Sequence, residues 1–173
     1  MSCFGRDQRV FAYGSNMHTE DLRRWFAAAG YAPPRLGTPR PGLLVGYELA
    51  WNYHSKARAG GAANVEPTPG ARVAGVVFHV NQETLDGFDA KEGHPHRYRR
   101  GEQPLSIQLL DGDEVAAWVY RVTARYRQAG PVWPRSEYLS LLVSSAEELA
   151  LPRWYIERLQ ATPTSDGQAS EIP

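Results

Sequence analysis

Hydrophobic and polar residues alternate most clearly from Leu43 onward. Odd positions read Leu43, Val45, Tyr47, Leu49, Trp51 and Tyr53, while Gly46, Glu48 and Asn52 fall at even ones. A period of two predicts a long strand with one buried face. Shorter runs at Val10 to Tyr13, Arg72 to Val80, Leu105 to Leu110 and Val115 to Val122 predict further strands, and Asp111-Gly112 between the last two predicts a hairpin turn. The Gly/Ala-rich stretch from Ala57 to Ala63 reads as a flexible loop. Helical spacing takes over elsewhere. Leu22, Trp25, Phe26 and Ala29 form an i, i+3, i+4, i+7 stripe, with Thr19 as cap, Glu20 and Asp21 in the first turn, and Gly30 as the stop. Asn81 caps a second predicted helix that runs to about Glu92 and stops at Gly93.

Ser136 to Gln160 holds a third helical region in two pieces. Ser145-x-x-Glu148 fits a capping box, and Pro152 fits the first turn of a last helix carrying Trp154, Tyr155 and Leu159. Strands and helices do not alternate as βαβ units, so the predicted fold class is α+β, with a mostly antiparallel sheet able to close as a barrel. The chain divides into an N-terminal arm at 1–9, a single domain at 10–161 and a flexible tail at 162–173 rich in Thr, Ser, Pro and Gly. It shows no internal repeat.

Composition narrows the function classes. At 173 residues, 42% apolar and 22% charged, the chain suits one globular domain rather than a disordered one. Nineteen Lys+Arg balance nineteen Asp+Glu, which lacks the basic excess of a nucleic-acid binder. No apolar run approaches the roughly 18 residues of a membrane span. The opening MSCFGRDQRV has no apolar core of a secretory signal. The single cysteine, Cys3, allows no internal disulfide and no cysteine metal cluster, and is expected to be inert. The expectation is a cytoplasmic protein acting on a small molecule. A homodimer is compatible with this, and the sequence leaves the oligomeric state open.

Three constellations could carry chemistry. Phe11-Ala12-Tyr13-Gly14-Ser15-Asn16 is an apolar strand running into a glycine turn before a helix. Backbone N–H groups at such a start attract carboxylates, phosphates or oxyanions, though a plain strand-to-helix turn gives the same pattern. Leu85, Phe88 and Glu92 share one helical face, so Glu92 points where the apolar side chains point. Burial and the negative end of the helix dipole both penalise its charge there, the setting of a general base; alternatively it turns out to pair with Lys91 or a nearby arginine. His94-Pro95-His96-Arg97-Tyr98-Arg99-Arg100 follows directly. Two histidines fall short of the three or four protein ligands zinc usually takes, so no metal site is expected. A basic, aromatic rim for an anionic substrate, or a solvated loop leading into a strand, remain the readings of this segment.

At these residues the sequence resembles the γ-glutamylcyclotransferase family. The matching pieces are Phe11 to Asn16, Ala74-Gly75-Val76-Val77-Phe78, Leu85 to Gly93 with Asp89-Ala90-Lys91-Glu92-Gly93, and Pro134-Arg135-Ser136-Glu137-Tyr138 continuing to Leu151-Pro152 and Tyr155. In order, they cover most of the chain from Val10 to about Pro163. The resemblance implies a small β-barrel with peripheral helices that cyclises γ-glutamyl amines or γ-glutamyl amino acids to 5-oxoproline and releases the amine. By position, Glu92 matches the family's general acid/base, Val10, Phe11, Ala12, Tyr13, Gly14 and Ser15 its substrate-binding loop, and Tyr138 an aromatic that contacts substrate. Asn16 completes the tyrosine-glycine-serine-asparagine form that separates this branch from the glutathione-specific one.

His94 to Arg100 is unlike the family's typical segment, and Gly60-Gly61-Ala62-Ala63-Asn64 matches only loosely, which leaves the leaving amine open. Such ring closure requires no metal, nucleotide or redox cofactor. Two alternatives stand beside it: removal of a γ-glutamyl protecting group in specialised-metabolite biosynthesis, and a non-catalytic binding module on the same fold.

Overall fold

The computed structural model describes residues 7–167; Cys3 lies outside them. β1 (Gln8–Ala12) leads through a 3-10 turn at Ser15–Met17 into α1 (Thr19–Ala28). β2 (Arg40–Ala50), β3 (His54–Ser55), β4 (Gly60–Gly61) and β5 (Asn64–Val80) follow, and α2 (Gln82–Glu92) leaves the end of β5. β6 (Tyr98–Arg99), β7 (Leu105–Leu109), β8 (Glu114–Ala117) and β9 (Arg121–Val122) precede α3 (Ser136–Glu148) and α4 (Arg153–Gln160).

One five-stranded sheet, ordered β1-β5-β2-β7-β8 with every ladder antiparallel, organises the molecule. Its edges nearly meet: Phe11 N–H donates to Trp118 O at 2.9 Å and Trp118 N–H to Arg9 O at 2.8 Å, a single parallel bridge. The expected barrel therefore does not close. After Trp118 the chain leaves the sheet, and the predicted strand Val115 to Val122 splits into β8 and a separate β9 that pairs with β6. The fold class, α+β with a mostly antiparallel sheet, is as predicted.

The strand predicted from Leu43 to Tyr53 ends at Ala50, and its predicted inward face holds over only the second half of that stretch. Leu49, Trp51 and Tyr53 are buried, yet Val45 is 49% exposed and Leu44 is buried instead. The register slips between Val45 and Tyr47, where Gly46 takes φ +84°. One residue of β2, Gly46, lies there opposite four of β5, 68–71, and past this irregularity the inward set passes from even to odd positions. The opposite strand loops out at the same level, Val45 pairing with Arg72 and Tyr47 with Pro67.

Helices cover the sheet through aromatic contacts. Phe26 of α1 meets Phe88 of α2 edge-on at 6.1 Å, and both are essentially unexposed. Burying each such ring contributes about 1.5–3 kcal/mol. Gly87 makes the approach possible, because a Cβ there would lie 2.3 Å from the Phe26 ring. Asn81 caps α2 by accepting from Thr84 N–H at 2.9 Å, and Gly93 closes it at φ +68°, both as predicted.

Three local expectations fail. His18, not Thr19, caps α1, its Nδ1 accepting from Asp21 N–H at 3.1 Å. Ser145 lies inside α3 and donates to Leu141 O at 2.8 Å, so no capping box forms there. The segment 162–167, expected to be frayed, is held: Ser165 N–H donates to Pro134 O, and Asp166 accepts from Ser136 N–H and Oγ–H, each at 2.8 Å.

Candidate active site

A cavity of about 470 Å³ opens where the end of β1, the end of α2, the segment after β3 and the start of α3 converge. That volume falls within the roughly 300–1,000 Å³ of small-molecule sites. Phe11, Ala12, Tyr13, Gly14, Ser15, Asn16, Glu92 and Tyr138 all line it. Val10 does not; it is buried in β1 opposite Phe78. Residues more than 120 positions apart in sequence are thus brought to one place.

Glu92 ends α2 with its side chain 13% exposed. Its Oε1 accepts from Asn16 Nδ2 at 2.8 Å and lies 3.8 Å from the Lys91 ammonium. Lys91 Nζ also donates to Ser15 Oγ at 3.4 Å, which ties the helix end to the loop. The pairing with Lys91 therefore occurs inside the cavity, and Glu92 does not turn away to make it. The amide oxygen of Asn16 is buried without a hydrogen-bond partner among the described residues, a cost accepted to aim its NH₂ at the carboxylate.

Among the described residues five buried tyrosines line the cavity, Tyr13, Tyr53, Tyr98, Tyr120 and Tyr138, and three of them are tied to the backbone there. Tyr138 Oη accepts from Ala63 N–H at 3.2 Å, and Gly14 allows the approach, since a Cβ there would lie 3.3 Å from the same oxygen. Tyr98 donates to Ala63 O at 2.8 Å, and Tyr13 donates to Tyr120 O. Burial pushes all three phenols above their ordinary range, and the nearby Glu92 charge adds to the effect on each. They stay protonated at neutral pH, and Tyr13 and Tyr98 serve as donors.

Arg58 and Asp21 are members of the cavity wall that sequence reasoning missed. The Arg58 guanidinium holds both Asp21 oxygens, at 3.2 and 2.6 Å, and lies 5.4 Å over the Tyr138 ring. Burial opposes the Asp21 charge, but the Arg58 pair prevails and holds the carboxyl below its usual range. No sequence signal links two residues 37 positions apart. Tyr53, by contrast, stood on the predicted inward face of its strand and lines the cavity as well.

The expected basic rim is only partly there. Arg97 lines the cavity. Arg100 is clamped by Asp89, at 2.9 and 3.3 Å, and covers the Trp118 ring. Arg99 pairs with Glu102 at 3.1 Å and faces a separate groove with Arg121 and Arg127. Alternation in β6 sends Tyr98 inward and Arg99 out. Among the described residues, His94 and His96 join no cluster of three potential metal ligands, and no helix is long and apolar enough to cross a membrane.

Residues 10–140 match the family model described as γ-glutamyl cyclotransferase, AIG2-like. The chain is 31% identical over 165 residues to a Homo sapiens γ-glutamylcyclotransferase, spanning 93% of this chain and 82% of that protein. It is 30% identical over 171 residues to the Bos taurus protein of the same name, spanning 96% and 86%. A solved structure titled γ-glutamyl cyclotransferase shares the fold with a TM-score of 0.78 over 93% of this chain and 90% of that one, at 24% identity. The chain belongs to the γ-glutamyl cyclotransferase, AIG2-like family of enzymes.

Proposed function

We propose that the protein converts a γ-glutamyl amine or γ-glutamyl amino acid to 5-oxoproline and the free amine, with Glu92 as general acid/base. One observation carries the reading. Asn16 and Lys91 both engage Oε1 of Glu92, which leaves Oε2 without a hydrogen-bond partner among the described residues, in a cavity sized for a small molecule. One oxygen is fixed and the other is left to exchange protons.

The chemistry follows from the substrate. Its α-nitrogen attacks its own γ-carbonyl, closing a five-membered ring; the carbonyl electrons move to oxygen, then return as the bond to the leaving nitrogen breaks. The α-nitrogen sheds two protons in passing from ammonium to lactam N–H, and the leaving nitrogen gains two in becoming an ammonium. Glu92 passes them one at a time, which requires both nitrogens within hydrogen-bond reach of Oε2. N–H groups at the Gly14–Asn16 turn and the Lys91 ammonium supply positive charge for the substrate α-carboxylate or the oxyanion. Holding the flexible glutamyl chain folded contributes much of the acceleration.

Glu92→Gln tests this reading. It keeps the volume and can still accept from Asn16, but it cannot take a proton. Release of 5-oxoproline from γ-glutamyl compounds should fall by roughly a hundredfold or more, with the unfolding midpoint near wild type. Turnover close to wild type would remove Glu92 as the base.

A further inference from the structure

Among the described residues four cationic side chains line the cavity, and three already have carboxylate partners. Arg24 pairs with Glu20 at 2.7 Å, Arg58 with Asp21 at 2.6 Å and Lys91 with Glu92 at 3.8 Å. Arg97 has no carboxylate at ion-pair distance among the described residues. It is nevertheless held in place. Arg97 N–H donates to Gly93 O at 3.0 Å, folding the chain back over the helix end. There Nη2 donates to Lys91 O at 3.1 Å, at the terminus of α2 where the dipole favours a cation. The guanidinium lies against the bare face of Gly93: a Cβ at that position would stand 2.3 Å from Nε and 3.0 Å from Cζ. A guanidinium has five N–H donors in a planar fork that matches a carboxylate, and only one of these has a protein acceptor.

We propose that Arg97 reads an anionic group on the leaving amine, so that preferred substrates are γ-glutamyl compounds carrying a carboxylate next to the scissile nitrogen. This rests on the cyclotransferase reading of the cavity. The leaving nitrogen must reach Glu92 to be protonated. Gly93 is the next residue, and Arg97 lies on its face. In an amino acid leaving group the carboxylate is two bonds from that nitrogen, and Arg97 is the lining cation left without a carboxylate of the protein's own to receive it. The glutamyl α-carboxylate lies at the far end of the same molecule, nearer the Gly14–Asn16 turn and Lys91. Arg97 therefore distinguishes leaving groups, while Lys91 and the Gly14–Asn16 turn serve every γ-glutamyl compound.

The test uses γ-glutamyl-alanine and γ-glutamyl-ethylamine, whose leaving groups differ only by the carboxylate. The wild type should favour the alanine compound in kcat/KM. Arg97→Gln should reduce that preference by roughly tenfold or more, mainly through KM, and Arg97→Lys should keep part of it. Arg99→Gln, which alters an arginine outside the cavity, should leave the preference intact. An unchanged ratio in Arg97→Gln, or an equal loss on both compounds, overturns the inference while leaving Glu92 as base. If neither compound yields 5-oxoproline, the proposed function fails instead. Arg97 is then judged by calorimetric binding of the two compounds to Glu92→Gln with and without Arg97→Gln, where equal affinities would also sink it.

Discussion

At Tyr138 one hydroxyl does two jobs: it accepts from Ala63 N–H and closes the cavity against Gly14. Tyr138→Phe leaves the Ala63 N–H without its acceptor, so stability should fall by about 1–3 kcal/mol in urea unfolding. The loss should be constant from pH 5 to 8, because burial first, then other groups, keeps the phenol protonated throughout. A phenylalanine variant as stable as wild type would mean that the Ala63 contact contributes nothing. Asp21 behaves in the opposite sense. Its carboxyl titrates lower folded than unfolded, so its pairing with Arg58 adds stability above the unfolded value of about 3.9, and that contribution is lost as pH falls through the folded value. Asp21→Asn should flatten the decline of urea midpoints below about pH 4; an acid limb as steep as wild type would exclude Asp21 as its source. These two residues also mark how far the sequence could be read. The inward direction of Glu92 followed from helical spacing alone, whereas the Arg58–Asp21 pair depends on a tertiary approach that no local period encodes.

Elements whose ends are set locally were legible, and those set by their neighbours were not. Asn81 and Gly93 bound α2 through their own side chain and backbone, and both could be read directly. The irregularity at Gly46 exists only because two strands pair around it, so alternation alone put Val45 inside. The stretch around β4 was read as flexible for its glycines, yet its glycines serve close packing. Gly61 N–H donates to Trp133 O at 3.0 Å, and a Cβ on Gly61 would lie 1.8 Å from Val132 O. Gly61→Ala must push the Val132–Trp133 backbone away and drag Ala62 and Ala63 out of the cavity wall. It should cost about 1–3 kcal/mol and weaken substrate binding. Gly130→Ala meets nothing within 4 Å and should stay within about 0.5 kcal/mol of wild type. Equal effects of the two substitutions in paired unfolding and KM measurements would show that β4 is as yielding as its composition suggested.

Across the whole molecule, the site depends on elements meeting from distant parts of the chain, and α3 is the one anchored from furthest downstream. It brings Tyr138 into the cavity within its first turn, yet the side chain of Arg135 at its cap position makes no capping hydrogen bond. The cap comes from Asp166 instead, whose carboxylate accepts from Ser136 N–H and Oγ–H and lies 3.8 Å from Arg135 Nη2. A carboxylate at a helix N-terminus satisfies an otherwise unpaired donor and complements the dipole. The Ser136 N–H bond, followed by its hydroxyl, holds the Asp166 carboxyl below its usual range, so this cap too is present above the unfolded value and lost as pH falls through the folded one. Asp166→Ala should therefore lower the unfolding midpoint at neutral pH. It should also raise KM for a γ-glutamyl substrate more than it lowers kcat, because Tyr138 sits on the loosened turn while Glu92 and Asn16 are untouched. Asp166→Asn retains an amide oxygen able to accept from Ser136 N–H and should recover most of both losses, without the acid sensitivity. If Asp166→Ala changes neither midpoint nor KM, the start of α3 is held by its packing against α4 and the Ser15–Met17 turn, and the segment after α4 has no part in shaping the site.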